Sequence, residues 1–366
     1  MTDKQWYLIL NVATVPSPAV VVYPDRIRGN IQRAIQIVGD PQRLRPHIKT
    51  HKCGHIIRMH LDHGVVKFKC ATIAEAEMAA TAGAKDVLVA SQLVGPNLAR
   101  FAELRRRFPA TLFSTICDST EVAQALSALG HSEREPVRTY LDLNCGMDRT
   151  GVIPGARAVE LYRLLAALPG ISIAGLHAYD GHIHDGDLAS REKQFTHFNQ
   201  SLTAFRNQLQ LPVPNIIASG TPTFAMHARE TDRECSPGTY VFWDFGYQRY
   251  ADLDFQLAAL VVTRVISKPT ENRLCLDLGH KSIASENPHP RVQFLNLPNA
   301  TPVMHSEEHL VVETPDAAQW NIGDVVYGVP RHICPTVALH DQCFPIVNST
   351  AGAPWSIEAR RRKITI

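Results

Sequence analysis

Long apolar runs are missing from this chain of 366 residues. No stretch approaches the ~18–20 consecutive apolar residues that a membrane-spanning helix needs. The apolar run at 7–10 is too short for the core of a secretory leader, and Pro16 and Pro18 follow it closely. An excess of one charge is missing too. Lys and Arg number 37 against 35 Asp and Glu, a formal net charge of +2, which argues against a nucleic-acid or anionic-membrane partner. The short basic run Arg360-Arg-Arg-Lys363 reads as a solvated terminal segment. Cys-x-x-Cys pairs are absent: the eight cysteines stand at 53, 70, 117, 145, 235, 275, 334 and 343. Together with the lack of a leader, this spacing predicts reduced thiols in a cytoplasmic protein. No internal repeat and no low-complexity segment interrupts the chain.

What is present is a hydrophobic content of 45%, ample for a large core, and a length that suggests two domains. Short, β-branched apolar runs alternate with helical runs over the first two-thirds. The candidate strands are 19–23, 44–49, 65–69, 86–90, 111–116, 139–143, 173–177 and 216–219, with helical stretches at 25–38, 73–82, 96–108, 119–129, 156–168 and 191–210. Apolar runs separated by helices of this length imply βαβ units. Eight of them in this span predict an α/β fold whose first domain, 12–245, is a (β/α)8 TIM-like barrel. After about residue 246 the helical periodicity fades. Strand-like runs at 256–266, 273–278, 309–313, 324–329 and 342–347, separated by turn signals such as Lys268-Pro269 and Asn287-Pro288, predict a mostly antiparallel β domain over 246–366. Residues 1–11 are expected to join it.

The segment Arg45-Pro-His-Ile-Lys-Thr-His-Lys52 ends the second candidate strand. A lysine at the C-terminal mouth of a barrel strand is placed as an amine nucleophile, the chemistry that forms Schiff bases with carbonyl compounds. A basic, solvated loop is the plain alternative. Ser219-Gly-Thr-Pro-Thr223 follows the eighth candidate strand and opens a short helix; a glycine, two hydroxyls and free backbone N–H groups suit a phosphate. Ser236-Pro-Gly-Thr-Tyr240 is a second such turn. Each also reads as an ordinary capped turn. Asn144-Cys-Gly-Met-Asp-Arg-Thr-Gly151 sets Arg149 between two glycines, where it can reach a ring or carboxylate or close a rim salt bridge. His177-Ala-Tyr-Asp-Gly-His-Ile-His184 offers Tyr179 and three histidines as metal ligands, acid/base groups or a polar loop. In Pro330-Arg-His-Ile-Cys-Pro-Thr336 the spacing of His332 and Cys334 puts both side chains on one face of an extended segment, where they can chelate a soft divalent ion. A buried cysteine beside a surface histidine reads equally well from those two residues alone.

Taken in order, Pro46–Lys52, Cys145–Gly151, Ala178–His182, Ser219–Thr223 and His332–Cys334 resemble the fold-type III pyridoxal phosphate (PLP) enzymes, and within them the D-threonine aldolase / D-serine dehydratase family. The resemblance covers nearly the whole chain. It implies an alanine-racemase-like barrel carrying PLP on Lys49, followed by a β domain carrying a metal pair. It implies cofactor contacts from Arg149, Tyr179, Ser219, Gly220, Thr221, Gly238, Thr239 and Tyr240. His332 and Cys334 correspond to the metal pair, with Zn2+ favoured over Mn2+ or Co2+. His51, His182 and His184 are acid/base candidates beside Lys49. The expected activity is a PLP- and metal-dependent lyase cleaving β-hydroxy-D-amino acids to glycine and an aldehyde, in a homodimer. The alternative is a dehydratase acting on D-serine or D-3-hydroxyaspartate, giving a 2-oxo acid and ammonia. The departure from the aldolase pattern is Cys334, where aldolases often carry aspartate and dehydratases tend to carry cysteine. An amino-acid racemase, a non-catalytic PLP-binding protein and a PLP-free zinc hydrolase are the remoter readings.

Overall fold

The computed structural model describes residues 5–366, and the chain divides into two compact units. One comprises residues 32–49, 54–238 and 361–366; the other comprises the chain up to residue 31, residues 50–53 and residues 239–360.

The first unit is built on seven parallel strands that neighbour one another in chain order: Lys67–Cys70, Asp86–Val89, Leu112–Cys117, Val137–Asn144, Ile171–Tyr179, Ile216–Ala218 and Glu234–Cys235. Runs such as Asp-Val-Leu-Val suit this setting, because a parallel strand is covered on both faces. The ring closes through residues 44–47. Leu44 bridges Cys235 on one side and His47 bridges Lys69 on the other, both in parallel sense. The Arg45 N–H donates to Cys235 O at 2.8 Å, and the Lys69 N–H donates to Pro46 O at 2.9 Å. Pro46 has no N–H to give, so this stave holds by bridges and does not form a regular strand. Helices cross back between strands with side-chain caps where the sequence supplies them. Thr72 accepts from Glu75 N ahead of Ile73–Thr81, Ser119 from Val122 N ahead of Thr120–Ser132, and Asp187 from Ser190 N ahead of Leu188–Leu209.

At the N-terminal end of the staves a buried ion network ties the closure together. Arg45, 1% exposed, donates Nε to Glu234 Oε2 at 2.5 Å and its two Nη atoms to Asp86 at 2.7 and 3.0 Å. Lys67 Nζ reaches the other oxygen of Glu234 at 2.6 Å. Burial opposes the charge on Arg45, but Glu234 and Asp86 outweigh it and raise its pKa.

The second unit is a ten-stranded sheet whose hub is Ala259–Thr270. That strand pairs antiparallel with Ala19–Val22, Arg273–Leu276 and Val325–Pro330. Leu310–Glu313 and Thr301–His305 extend one edge, and Gln342–Val347 lies parallel to Ala19–Val22. The core gathers Val21, Tyr23, Leu260, Val262, Tyr327, Val329 and Phe344. Val325–Pro330 matters for function because it delivers the chain into His332 and the short helix Ile333–Ala338.

Three sequence-based strand assignments change. Residues 19–22 belong to the β sheet and not to the barrel. An all-apolar Ala-Val-Val-Val run fits the centre of either sheet, so its pattern carries no address. Residues 44–49 give a bridged stave followed by a 3-10 turn at Ile48–Thr50. The last barrel strand is Glu234–Cys235, two residues too polar and too short to register as a strand, and Ile216–Ala218 comes before it. Among the described residues no helix is long and apolar enough to cross a membrane.

Candidate active site

Lys49 lies just beyond the bridged stave, on the 3-10 turn, with its backbone N–H on His47 Nδ1 at 3.3 Å. Its side chain is exposed and lines a cavity of about 280 Å3 together with His47, Lys69, Arg149, His177 and Tyr179. These residues come from the C-terminal ends of neighbouring staves, where barrel enzymes do their chemistry.

His177 and Tyr179 alternate on Ile171–Tyr179, so both face the cavity. His177 Nδ1 is hydrogen-bonded to Asp142 Oδ1 at 2.7 Å, which fixes the ring. Burial outweighs Asp142 and lowers the His177 pKa, so the imidazole is neutral. Its Nδ1–H then donates to the carboxylate, and the bare Nε2 has no partner among the described residues. Tyr179 lies beneath two cations: the Arg149 guanidinium is 5.2 Å from its ring centroid and Lys69 Nζ is 5.4 Å away.

The loop carrying Arg149 is held by its own short contacts. Asn144 Oδ1 accepts from Gly146 N and Asp148 N at 3.1 Å each, and Gly151 N donates to Asp118 Oδ2 at 2.8 Å. Gly151 has φ +94°, and a Cβ there would stand 2.5 Å from Asn144 N. Only glycine lets the loop return so closely.

Ser219–Thr221 forms a tight turn with Ser219 at φ +81°. Gly220 N donates to Asp180 Oδ1 at 2.9 Å, and Asp180 Oδ2 pairs with His227 Nε2 at 2.9 Å. Burial works to raise the Asp180 pKa, but His227 and the Gly220 N–H outweigh it and hold the carboxylate ionised. Thr221 Oγ1 accepts from Gly238 N, and Ser219 Oγ from Ser236 N, each at 3.0 Å, so the two Gly-containing turns are tied to each other. The helix that follows, Phe224–His227, is a single turn. His182 occupies a different place in this unit. It lines a second cavity of about 520 Å3 with Cys145, Lys193 and His197, and packs so closely on Gly146 that a Cβ there would lie 2.8 Å from its Nε2. His184 is exposed, with Nδ1 on His182 O.

In the β unit, His332 is the extended N-cap residue of helix Ile333–Ala338 and Cys334 is inside that helix, so the pair does not sit on an extended strand. Their side chains nonetheless meet. Burial pulls the His332 pKa down, but the bonds to Cys334 and to Glu286, whose Oε1 is 2.6 Å from Nδ1, push it up to about 9. Cys334 Sγ donates to Thr50 Oγ1 at 3.2 Å and lies 3.7 Å from Thr239 Oγ1. Asp244, fully buried, accepts from Ile333 N at 2.9 Å and from Tyr247 N at 3.0 Å; burial pushes its carboxyl up to about 7. His51 is buried, with Nδ1 accepting from Cys53 N at 3.1 Å. Tyr240 is buried against Phe255, ring centroids 5.6 Å apart. Among the described residues no group of three or more His, Cys, Asp and Glu side chains forms a metal cage.

Sequence reasoning passed over Lys69, Asp142, Asp180, His227 and Asp244. The alternation of lysine with apolar residues in the strand run Lys67-Phe-Lys-Cys70 was the one local signal available; the others show only in their partners.

Residues 22–244 match the family described as alanine racemase, N-terminal domain, and residues 258–346 match a putative serine dehydratase domain. The chain is 28% identical to a D-threonine aldolase of Arthrobacter sp, over 95% of this chain and 94% of that protein. It is 30% identical to the D-threo-3-hydroxyaspartate dehydratase of Delftia sp. (strain HT23), over 63% of this chain and 62% of that one. Among solved structures, D-threonine aldolase from Filomicrobium marinum superposes with a TM-score of 0.88 at 27% identity, covering 96% of this chain and 97% of that one. A cysteine-to-alanine mutant of a D-threo-3-hydroxyaspartate dehydratase in the metal-free form shares the fold at a TM-score of 0.80 and 22% identity, over 94% and 98% of the two chains.

Proposed function

The chain belongs to the alanine racemase N-terminal domain family, and from that membership we propose that it is a PLP- and divalent-metal-dependent lyase on β-hydroxy-D-amino acids, cleaving them to glycine and an aldehyde. The observation that carries the proposal is the cavity of Lys49. An amine nucleophile, the cation of Arg149, the aromatic face of Tyr179 and an unpartnered imidazole nitrogen on His177 line one cavity in the barrel. That set fits an anionic pyridine ring. The D-threonine aldolases of Arthrobacter sp and Filomicrobium marinum are among the relatives matched over almost the full length of both chains.

Bound PLP supplies an electron sink for the bond broken at the substrate's α-carbon, and a metal ion supplies a Lewis acid for its β-hydroxyl. In this reading Lys49 attaches the cofactor covalently through Nζ. Arg149 and Tyr179 hold its ring, and Asp142 keeps His177 in one tautomer facing it. Ser219, Gly220, Thr221, Gly238, Thr239 and Tyr240 hold the phosphate. His332 and Cys334 hold the metal, Zn2+ ahead of Mn2+ or Co2+ because imidazole and sulfur are soft donors. His51 is the proton-transfer candidate for the β-hydroxyl, and His182, which lines the second cavity, is the remoter one. A homodimer in the cytoplasm completes the proposal.

A second reading, dehydration of D-serine or D-3-hydroxyaspartate to a 2-oxo acid and ammonia, is favoured by one residue. Cys334 pairs a sulfur donor with His332, and a cysteine-to-alanine D-threo-3-hydroxyaspartate dehydratase was solved in a metal-free form. In that reading Lys49 Nζ moves the α-proton. Product analysis by NMR, with PLP and Zn2+ or Mn2+ supplied and D-threonine, D-serine and D-3-hydroxyaspartate as substrates, separates the two. Glycine with an aldehyde establishes the lyase that breaks the carbon–carbon bond; a 2-oxo acid with ammonia replaces it; no product from a PLP-loaded protein overturns both. Lys49→Ala should lose the cofactor's absorbance on the protein and all turnover.

A further inference from the structure

Lys69 stands out among the buried charges of the barrel. On strand Lys67–Cys70 the side chains of Lys67 and Lys69 fall on one face. Lys67 is paired with Glu234. Lys69 is 2% exposed, lines the cavity of Lys49, and has the Tyr179 ring 5.4 Å from its amine. It forms no hydrogen bond or ion pair through its side chain among the described residues. A buried ammonium without a counter-charge costs several kcal/mol, which is why buried lysines are rare and normally paired. Arg45, the neighbouring buried cation, has two carboxylates. The acids nearest Lys69 are otherwise engaged or out of reach. Asp180 is taken by His227 and Gly220 N, and Asp142 gives one oxygen to His177 while its other oxygen has no partner.

We propose that Lys69 is a positioning residue of the cofactor cavity, its amine the counter-charge for the anionic cofactor held by Lys49. This rests on the PLP reading and adds to it a cation that none of the five sequence motifs contains. The surroundings suit the role. The Lys69 pKa is lowered to about 7: burial is the largest cause, Lys49 and Arg45 work the same way, and Asp180 and Asp142 oppose them. Besides Lys49, the other titratable groups around the cavity are His47, Arg149, His177 and Tyr179. Without an anion the amine is therefore only partly protonated near neutral pH. Entry of an anion completes the protonation, and the proton comes from solvent.

The test uses the full chain stripped of PLP. Binding is followed by the absorbance of bound PLP, and proton uptake by calorimetry in buffers of different ionisation enthalpy at about pH 8, just above the Lys69 pKa. Lys69→Met should weaken PLP binding roughly tenfold or more, the worth of a lost charge-assisted contact, and should reduce the proton uptake. Lys69→Arg, which keeps the charge, should restore most of the affinity but take up no extra proton. Equal affinity, absorbance and proton uptake in parent and Lys69→Met would overturn the role of Lys69 and leave the PLP reading intact. Folded parent protein that takes up no PLP would overturn both. Proton uptake by the unaltered protein keeps the test open if a variant fails to fold: uptake no greater than free PLP and Lys49 account for overturns the proposal.

Discussion

Asp244 Oδ2 accepts a hydrogen bond at 2.9 Å from the backbone N–H of Ile333, the residue between His332 and Cys334. The same carboxylate accepts from Tyr247 N, so one buried side chain fixes the backbone that carries both candidate metal donors. Two donors cannot set an ion's geometry unless their own backbone is rigid, and supporting groups of this kind typically matter 10–100-fold in metal affinity. Asp244→Ala should therefore weaken Zn2+ retention by about that factor while PLP absorbance is unchanged. Metal content after equilibrium dialysis is the readout; unchanged retention would remove Asp244 from the metal site.

Cys334 contacts Thr50 Oγ1 and Thr239 Oγ1 in addition to His332. If it is a metal donor, Cys334→Ala should lose bound metal and turnover together and keep PLP. Cys334→Ser, which preserves a polar atom near the threonines but offers a poor ligand for Zn2+, should behave like the alanine variant and not like the parent. Activity that survives complete chelation of metal from the parent protein would sink the metal-assisted mechanism.

Arg45 belongs to the same octet as Lys49 but serves a different end. Its guanidinium joins Asp86 and Glu234 across the seam where the barrel closes, away from the rim. Breaking a buried ion pair on one side leaves its partners uncompensated and costs about 3–5 kcal/mol. Arg45→Met should lower the melting temperature markedly, with Lys67 compensating part of the charge on Glu234. Lys49→Met should leave the melting temperature of the cofactor-free protein nearly unchanged, because Lys49 is exposed. A small effect from Arg45→Met would mean that the network is not what secures the closure.

The contrast within that octet shows how far the sequence could be read. Motif order placed Lys49, Arg149 and Tyr179 around one cavity, because each lies at the C-terminal end of a stave and strand ends are legible from apolar runs. Strands Ala259–Thr270, Arg273–Leu276 and Val325–Pro330 were legible as apolar runs for the same reason, while which of them pair was not. Ala19–Val22 was misassigned because a fully apolar run specifies burial and not which sheet it joins. Glu234–Cys235 was missed because two residues, one of them charged, carry no strand pattern. His182 shares a loop with Tyr179 but faces the second cavity, a direction that loop composition does not encode. Lys69 and Asp244 draw their character from burial among distant groups, which no local pattern records.

That character of Lys69 has a consequence for stability without cofactor. Its pKa is lowered from 10.5 to about 7 in the folded chain. Below about pH 7 the amine is protonated in both states, and the folded state bears the whole penalty of a buried charge. Between the two values the unfolded chain binds the proton and the folded chain does not, so this group's contribution to stability rises with pH. Above about pH 10.5 neither state is charged and the penalty is gone. Lys69→Met removes the amine and keeps an apolar chain of similar length. In the cofactor-free protein it should raise the melting temperature by several degrees at about pH 6, and progressively less as the pH approaches 10. Thermal unfolding of parent and variant across that range measures the difference directly. A variant less stable than the parent at every pH would mean that the amine has an ion-pair partner in solution, such as Asp142 Oδ2, a buried acceptor left open among the described residues.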